Sequence, residues 1–222
     1  MKAKAAHTWD RAAEDWYVEP VDATLKLLGV EGFDGPIHDP CCGGGNIVTA
    51  ALMCGYEATG TDIVARAPSA LWWGGRADYH EVWPFTLAPN VISNPPFYRA
   101  KGLEEVCRLA LTHTPGKIAM FAPLGFLAGH ARGQGLYADN PPDRIWILSK
   151  RVSCPTGAYI EAGKTPRNGT ADWCWLVWND KLLRRVLPPR IGWLTDKPED
   201  PTLFAKLERQ IVTPKILDRG KG

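Results

Sequence analysis

The sequence predicts an α/β fold built on a doubly wound, mostly parallel sheet, and three observations support this prediction. Strand-like and helix-like segments alternate through most of the chain. A glycine cluster separates the first predicted strand from the following helix, and an acidic residue ends the next strand. The last two strand-like segments are joined by a glycine- and charge-rich connection, which favours an antiparallel pair at an edge of the sheet.

The individual elements follow from residue periodicity and from end signals. Residues 21–28 carry apolar side chains at helical spacing, and Gly29 ends them. A strand at 35–39, a helix at 47–54 and a strand at 56–62 then form a βαβ unit. The later predicted elements are a strand ending near residue 78, a buried strand at 90–94, an amphipathic helix at 101–112, and strands at 117–122, 144–149 and 172–178.

These elements place one domain at residues 1–187. Glycines and paired prolines make residues 129–143 a predicted surface loop, and residues 155–170 connect the last two strands. Beyond residue 187, prolines interrupt every pattern except a short helix candidate at 203–211. Residues 188–222 are therefore predicted to be a Pro-rich, charged C-terminal extension.

The composition is typical of a folded globular chain. Hydrophobic residues make up 45% of the 222 residues and charged residues 23%, which excludes disordered and fibrous classes. With 22 glycines and 19 prolines, the chain is expected to form many short elements rather than a bundle of long helices. The formal net charge of +2 is too small to indicate or to exclude a nucleic-acid partner.

Cysteine usage and hydropathy predict a cytoplasmic protein. The six cysteines form neither a CxxC pair nor a zinc-ligand spacing with the five histidines, so no metal site is predicted. The first residues contain no apolar secretory segment, which favours free thiols. No segment approaches the roughly 20 apolar residues of a membrane span, so no membrane partner is predicted.

A glycine-rich turn follows the first predicted strand. Its sequence is Asp39-Pro-Cys-Cys-Gly-Gly-Gly45, and glycines allow a ligand to approach the backbone closely. Asp62 follows Gly43 by 19 residues, near the offset of about 20 at which an acid at a strand end binds ribose hydroxyls. This layout predicts a nucleoside site at the carboxyl ends of the strands, and a tight turn with a capping acid is the alternative interpretation.

A second motif, Asn94-Pro-Pro-Phe97, ends a buried strand at the same edge of the predicted sheet. Its two prolines fix the backbone, so that the four residues form a small polar pocket, here called the cup. The Asn94 carboxamide oxygen and the Pro95 carbonyl can accept hydrogen bonds from an amino group, and the Phe97 ring can stack on a planar base. A plain Pro-Pro turn is the alternative, and the glycine motif upstream favours the cup.

Together these motifs resemble those of the class I S-adenosylmethionine-dependent amino-methyltransferases, particularly the phage-type DNA adenine-N6 methyltransferases. The resemblance extends over about residues 15–180 and implies a seven-stranded, Rossmann-like, doubly wound sheet whose last strand pair is antiparallel. It implies S-adenosylmethionine as the cofactor and a catalytic tetrapeptide of Asn94, Pro95, Pro96 and Phe97. The cofactor-binding residues that it implies are Tyr17, Glu19, Pro20, Asp39, Pro40, Cys41, Gly43, Gly45, Asp62 and Asp78. Cys41 departs from the family pattern because it occupies the first glycine position of the loop.

The resemblance implies methyl transfer to the N6 amino group of adenine in DNA, in the cytoplasm of a bacterium or of a phage-infected cell. A sulfonium methyl is already activated, so the enzyme needs to align the nucleophile and favour its pyramidal nitrogen rather than supply a base. A paired adenine must be flipped out of the duplex, and Phe97 would stack on it. Candidate phosphate contacts are Lys150, Arg151, Arg184, Arg185 and Arg190.

Other functions remain open at this stage. The same tetrapeptide serves an RNA adenine or the amide of a protein glutamine equally well. From other classes, a dinucleotide-binding oxidoreductase is disfavoured by Asp39 before the loop and by the Asn-Pro-Pro-Phe motif. A catalytically silent nucleic-acid-binding module is disfavoured by the intact cup at Asn94.

Overall fold

The computed structural model describes residues 13–82, 88–166, 169, 171–179 and 187–196, and one sheet runs through them. Its strands are β1 (Ile37–Asp39), β2 (Ala58–Asp62), β3 (Trp73–Arg76), β4 (Asn90–Ser93), β5 (Ile118–Pro123), β6 (Arg144–Leu148), β7 (Trp173–Trp178) and β8 (Arg190–Leu194). The helices are α1 (Val21–Leu28), α2 (Asn46–Met53), α3 (Tyr79–Val82), α4 (Lys101–His113), α5 (His130–Gln134), α6 (Leu136–Asp139) and α7 (Gly157–Glu161). In these described ranges, no helix has the length and apolar character needed to cross a membrane.

The strand order in the sheet is β3-β2-β1-β4-β5-β7-β6-β8. Strand β1 pairs in parallel with β2 on one side and with β4 on the other, and β4 pairs in parallel with β5. Strand β7 is antiparallel to both of its neighbours, β5 and β6. The α/β doubly wound class and the antiparallel last pair are therefore confirmed. The chain order reverses between β1 and β4, which is where such sheets form a ligand crevice.

The sheet differs from the prediction in two respects. Strand β8 pairs in parallel with β6 along its whole length and adds an eighth strand, so the sheet extends beyond residue 187. Two prolines precede β8, and its Ile191 and Trp193 side chains are exposed, so the sequence there lacks the pattern of a buried strand. The antiparallel pair also lies inside the sheet rather than at its edge, because β8 covers β6. The helix predicted at 203–211 lies outside the described residues.

Short helices replace two predicted connections. Helices α5 and α6 occupy the predicted loop at 129–143, and α7 lies in the connection at 155–170. Each has only four or five residues, and Gly129 and Gly135 precede α5 and α6, so no helical periodicity develops. Leu136 is fully buried and anchors α6 in the core, whereas the Thr156 hydroxyl caps α7 by accepting a hydrogen bond from the Tyr159 amide.

The core lies on both faces of the sheet. On one face, Phe121 of β5 packs in a cluster with Leu27 of α1 and Ile47 of α2. On the other face, the neighbouring Met120 packs in a cluster with Leu103 of α4. All five side chains are fully buried. A strand covered on both faces needs a continuous apolar run, which explains the composition of β5 and β7.

One buried carboxylate joins distant parts of the chain. Glu31 contacts the Arg144 guanidinium and accepts hydrogen bonds from Trp146 Nε1 and Lys117 Nζ, each at 2.8 Å. Burial would raise the pKa of Glu31, but the hydrogen bond from Arg144 and the charge of Lys117 lower it below its usual value. The network therefore joins the segment after α1 to β6 and to the residue before β5, and its charges compensate one another in the buried site.

Candidate ligand site at the carboxyl ends of β1, β2 and β4

A cavity of about 280 Å³ lies at the reversal point of the sheet. The loop after β1, the segment before α1 and the residues after β2 and β4 form its wall. The predicted site residues that line it are Tyr17, Glu19, Pro40, Cys41, Gly43, Asp62, Asp78, Asn94, Pro95, Pro96 and Phe97. Three predicted residues, Pro20, Asp39 and Gly45, are not part of this lining.

The glycine loop is held directly by Asp62. The Gly43 amide donates to Asp62 Oδ2 at 2.8 Å, and the Val64 amide donates to Oδ1 at 2.9 Å. Gly43 has a left-handed φ of 51°, and a Cβ atom there would lie 2.6 Å from Trp16 Nε1. Only glycine satisfies both conditions. Asp62 Oδ2 retains a lone pair for a further donor, because a carboxylate oxygen accepts about two hydrogen bonds.

Asp39 supports the loop from behind the cavity wall. Its Oδ1 accepts hydrogen bonds from Ser93 Oγ at 2.7 Å and from the Cys41 amide at 3.0 Å. The side chain is buried, and this burial raises its pKa well above the usual range. Asp39 therefore ties the loop after β1 to the end of β4, and the replacement of glycine by Cys41 is accommodated in that loop.

The Asn94 carboxamide is held in one orientation. Its Nδ2 donates to the Tyr17 carbonyl at 2.9 Å and to Glu19 Oε2 at 2.7 Å, which uses both N–H groups. Its Oδ1 is buried and has no hydrogen-bond partner among the described residues. A buried acceptor without a hydrogen-bond partner costs free energy, so this oxygen is suited to accept a hydrogen bond from a bound ligand.

The lining of the cavity is strongly acidic. Its carboxylate-bearing residues are Glu14, Asp15, Glu19, Asp62 and Asp78, whereas its basic residues are Arg66 and His80. Arg66 contacts Asp62 and lies 3.5 Å from Glu14, so its charge is already compensated. Burial raises the pKa of Glu19 to about 7, against the lowering effect of the hydrogen bond from Asn94. This electrostatic environment favours a cationic ligand.

The segment before α1 closes over the tetrapeptide. Asp15 Oδ2 accepts hydrogen bonds from the Phe97 amide at 2.7 Å and the Tyr98 amide at 2.8 Å. The Phe97 ring stacks on Tyr17 with centroids 6.4 Å apart and packs at 5.6 Å from Trp173. Positions 98–100 follow with left-handed φ angles of 38°, 58° and 75°, although none is glycine. Such strain accumulates at functional sites, where surrounding contacts enforce it.

Sequence reasoning missed several members of this site. Asp15 precedes the predicted cofactor-binding residue Tyr17 by two residues, Trp16 adjoins Tyr17, and Ser93 precedes the tetrapeptide by one residue. The Trp16 ring packs 4.1 Å from the Arg66 guanidinium and fills the space where a Cβ of Gly157 would lie. No local signal distinguishes these residues, because their contacts join segments that are 54 and 82 residues apart in the sequence.

Comparisons with other proteins concern the fold. No protein-family model matches the sequence, and no curated protein matches it. Among solved structures, a Vibrio vulnificus YJ016 protein described as the modification subunit of a type I restriction enzyme is 14% identical, with a TM-score of 0.49 over 92% of this chain and 54% of that chain. The chain thus spans about half the length of that subunit.

Two further structures are similar at the same level. A Listeria monocytogenes protein assigned to the class I S-adenosylmethionine-dependent methyltransferases is 15% identical, with a TM-score of 0.45 over 85% of this chain and 67% of that chain. An RNA methyltransferase from Salinibacter ruber, in complex with S-adenosyl-L-homocysteine, is 16% identical, with a TM-score of 0.40 over 72% of this chain and 88% of that chain. Identities this low leave the function of the present chain to be argued from its own site.

Proposed function

We propose that this protein transfers a methyl group from S-adenosylmethionine to the N6 amino group of adenine in DNA. The observation that carries the proposal is the buried, unpartnered Oδ1 of Asn94 beside a glycine loop that Asp62 holds. A free acceptor on a residue that lines a cavity next to a nucleoside-type loop suits an enzyme that brings an amino group to a bound nucleoside.

The lining residues fit this cofactor. S-adenosylmethionine supplies a methyl group that its positive sulfonium activates, and an acidic lining suits a cation. Asp62 would accept the ribose hydroxyls at the oxygen that also holds the Gly43 amide. The same lining disfavours the anionic pyrophosphate of a dinucleotide, which argues against the oxidoreductase alternative.

Asn94, Pro95 and Phe97 would act on the acceptor base. As the amino nitrogen becomes pyramidal and partly positive, its hydrogens become stronger donors to Asn94 Oδ1 and to the Pro95 carbonyl. The proton released from the methylated nitrogen passes to solvent, so no general base is needed. The Phe97 ring, which contacts Tyr17 and Trp173, would stack on the flipped base.

Arg99 supports a nucleic acid as the acceptor. Arg99 and Lys101 directly follow the tetrapeptide, and both side chains are exposed. Neither forms an ion pair with the described residues. Among the earlier candidates, Arg151 is less suitable because it pairs with Asp172 at 2.7 Å, and residues 184–185 lie outside the described ranges. An unpaired guanidinium beside the site can contact the phosphate next to a flipped base.

Methyl transfer to DNA, RNA and a bacterial protein extract, assayed in parallel with labelled cofactor, tests the proposed function. We expect label in DNA, recovered as N6-methyladenine, because the cup accepts an amino group and Arg99 suits a phosphate. Nucleoside mass analysis identifies the product. Label in RNA alone would indicate that the acceptor is adenine in RNA. Label in the protein fraction alone would indicate that the acceptor is a glutamine amide.

Replacing Arg99 with alanine should reduce both the affinity for DNA and the dependence of that affinity on salt concentration. Loss of one phosphate contact reduces the slope of log affinity against log salt by about 0.9 on duplex DNA or about 0.7 on a single strand. Fluorescence titration at several salt concentrations measures the slope. Arg151→Ala, which removes an exposed but ion-paired arginine, is the matched control. An unchanged slope in Arg99→Ala would remove Arg99 from the interface.

A further inference from the structure

Glu19 and Asn94 form a buried contact between segments 75 residues apart. Glu19 is only 6% exposed, and its Oε2 accepts one N–H of the Asn94 carboxamide at 2.7 Å. The Glu19 carbonyl accepts a hydrogen bond from Asn46 Nδ2 at 2.6 Å, which anchors the Glu19 backbone to the start of α2. The carboxylate is therefore held in place before any ligand binds.

We propose that Glu19 is a positioning residue that fixes the Asn94 carboxamide with its oxygen facing the acceptor amine. This inference rests on the proposed function and assigns Glu19 a role toward Asn94 rather than toward the cofactor. Rotating the carboxamide by 180° would set Oδ1 against two acceptors, the Tyr17 carbonyl and the Glu19 carboxylate. Oxygen facing oxygen is repulsive, so an ionised Glu19 excludes the orientation that presents N–H groups to the amine.

Protonation of Glu19 would weaken its preference for the Asn94 orientation in which Nδ2 faces the Glu19 carboxyl group. A neutral carboxyl can donate a hydrogen bond, and it then tolerates an amide oxygen as its partner. The charge assistance of the Nδ2–H contact is lost at the same time. Two other titratable groups interact with Glu19, namely Asp39 at the end of β1 and Cys154 before α7. Both have a pKa raised well above the usual value, chiefly by burial, so a pH dependence must be assigned by substitution.

The variant Glu19→Gln separates a positioning role from a cofactor role. Glutamine keeps the shape but has a neutral side chain that accommodates either amide orientation. We expect kcat to fall about tenfold, the difference between a charge-assisted and a neutral hydrogen bond, while the calorimetric Kd for S-adenosylmethionine stays unchanged. Asp22→Asn, which neutralises an exposed carboxylate one turn into α1, is the matched control. A raised Kd with normal kcat would overturn the proposal and make Glu19 a cofactor ligand.

Two pH measurements complete the test. In the unmodified protein, kcat should rise as the pH passes through about 7, where Glu19 ionises. The pH–rate profile of Glu19→Gln should lack this rise. The Asn94 side-chain amide signals, identified by their loss in Asn94→Ala, should shift over the same pH range in nitrogen NMR spectra of the protein without ligand. A pH-dependent rise in kcat and amide shifts that persist in Glu19→Gln would overturn the proposal, because a group other than Glu19 would then be responsible.

The NMR measurement is independent of catalysis. Absence of methyl transfer to every acceptor would defeat the proposed function, whereas the amide titration would still report whether Glu19 controls Asn94. Active protein whose Asn94 amide signals do not move with pH would defeat the positioning role alone.

Discussion

Asn94→Ala is expected to reduce kcat for methyl transfer by about 100- to 1000-fold, which corresponds to about 2.7 to 4 kcal/mol of transition-state stabilisation. The substitution removes Asn94 Oδ1, a buried acceptor that has no hydrogen-bond partner among the described residues. Cofactor affinity should stay nearly unchanged, because the oxygen acts on the nucleophile. Single-turnover transfer and calorimetry on the same preparation measure the two effects separately.

Asn179→Ala serves as the matched control for this substitution. Asn179 follows β7 with an exposed side chain and does not line the cavity, so its loss should leave turnover unchanged. Near-normal turnover in Asn94→Ala would remove Asn94 from the mechanism. A large loss of cofactor affinity in Asn94→Ala would instead indicate that the carboxamide supports the cofactor side of the cavity.

Asp62→Ala should weaken S-adenosylmethionine binding by about 1.5 to 3 kcal/mol, roughly 10- to 150-fold, because charge-assisted hydrogen bonds to the ribose are lost. The same substitution leaves the Gly43 amide unpaired and releases Arg66, so the glycine loop loses its support. Calorimetry gives the affinity, and thermal unfolding shows whether the fold itself is weakened.

A second variant separates the charge of Asp62 from its shape. Asp62→Asn retains one oxygen for the Gly43 amide. Its affinity for S-adenosylmethionine should lie between that of the unmodified protein and that of Asp62→Ala. Asp34→Ala, which removes an exposed carboxylate outside the cavity, is the control. The unmodified protein should also bind S-adenosylmethionine more tightly than NAD. Unchanged affinity in Asp62→Ala would exclude Asp62 from the cofactor site.

Strands with strong local patterns were predictable, and weakly patterned elements were not. Strands β1, β2, β4, β5, β6 and β7 all lie within or close to their predicted segments. Burial on both faces demands apolar residues in β5 and β7, whereas β1 and β2 were indicated by the glycine turn and by the acid at the end of β2. Strand β8 was missed since its exposed Ile191 and Trp193 follow two prolines. The short helices α5 and α6 were missed because a single turn bounded by glycine has no periodicity to detect.

The site residues likewise divide into those that the nearby sequence indicates and those that only contacts between distant segments bring together. Residues within one turn, such as Gly43 or the tetrapeptide from Asn94 to Phe97, are recognisable because covalent spacing alone places them together at a strand end. Parallel pairing of β1 with β4 then brings both motifs to one edge, as the sequence led us to expect. Asp39 was predicted as a cavity residue, but its hydrogen bonds to Ser93 and the Cys41 amide direct it into the loop.

By itself, the sequence determined the fold class, the glycine loop and the amide-bearing tetrapeptide. Only the tertiary structure decided their partners: Glu19 for Asn94 across 75 residues, Asp15 for the Phe97 amide across 82, and Glu31 for Arg144 across 113. The physical reason is that backbone geometry and burial periodicity act over a few residues. A buried carboxylate is instead stabilised by whichever donors the strand order brings within hydrogen-bonding distance, and no local pattern encodes that order.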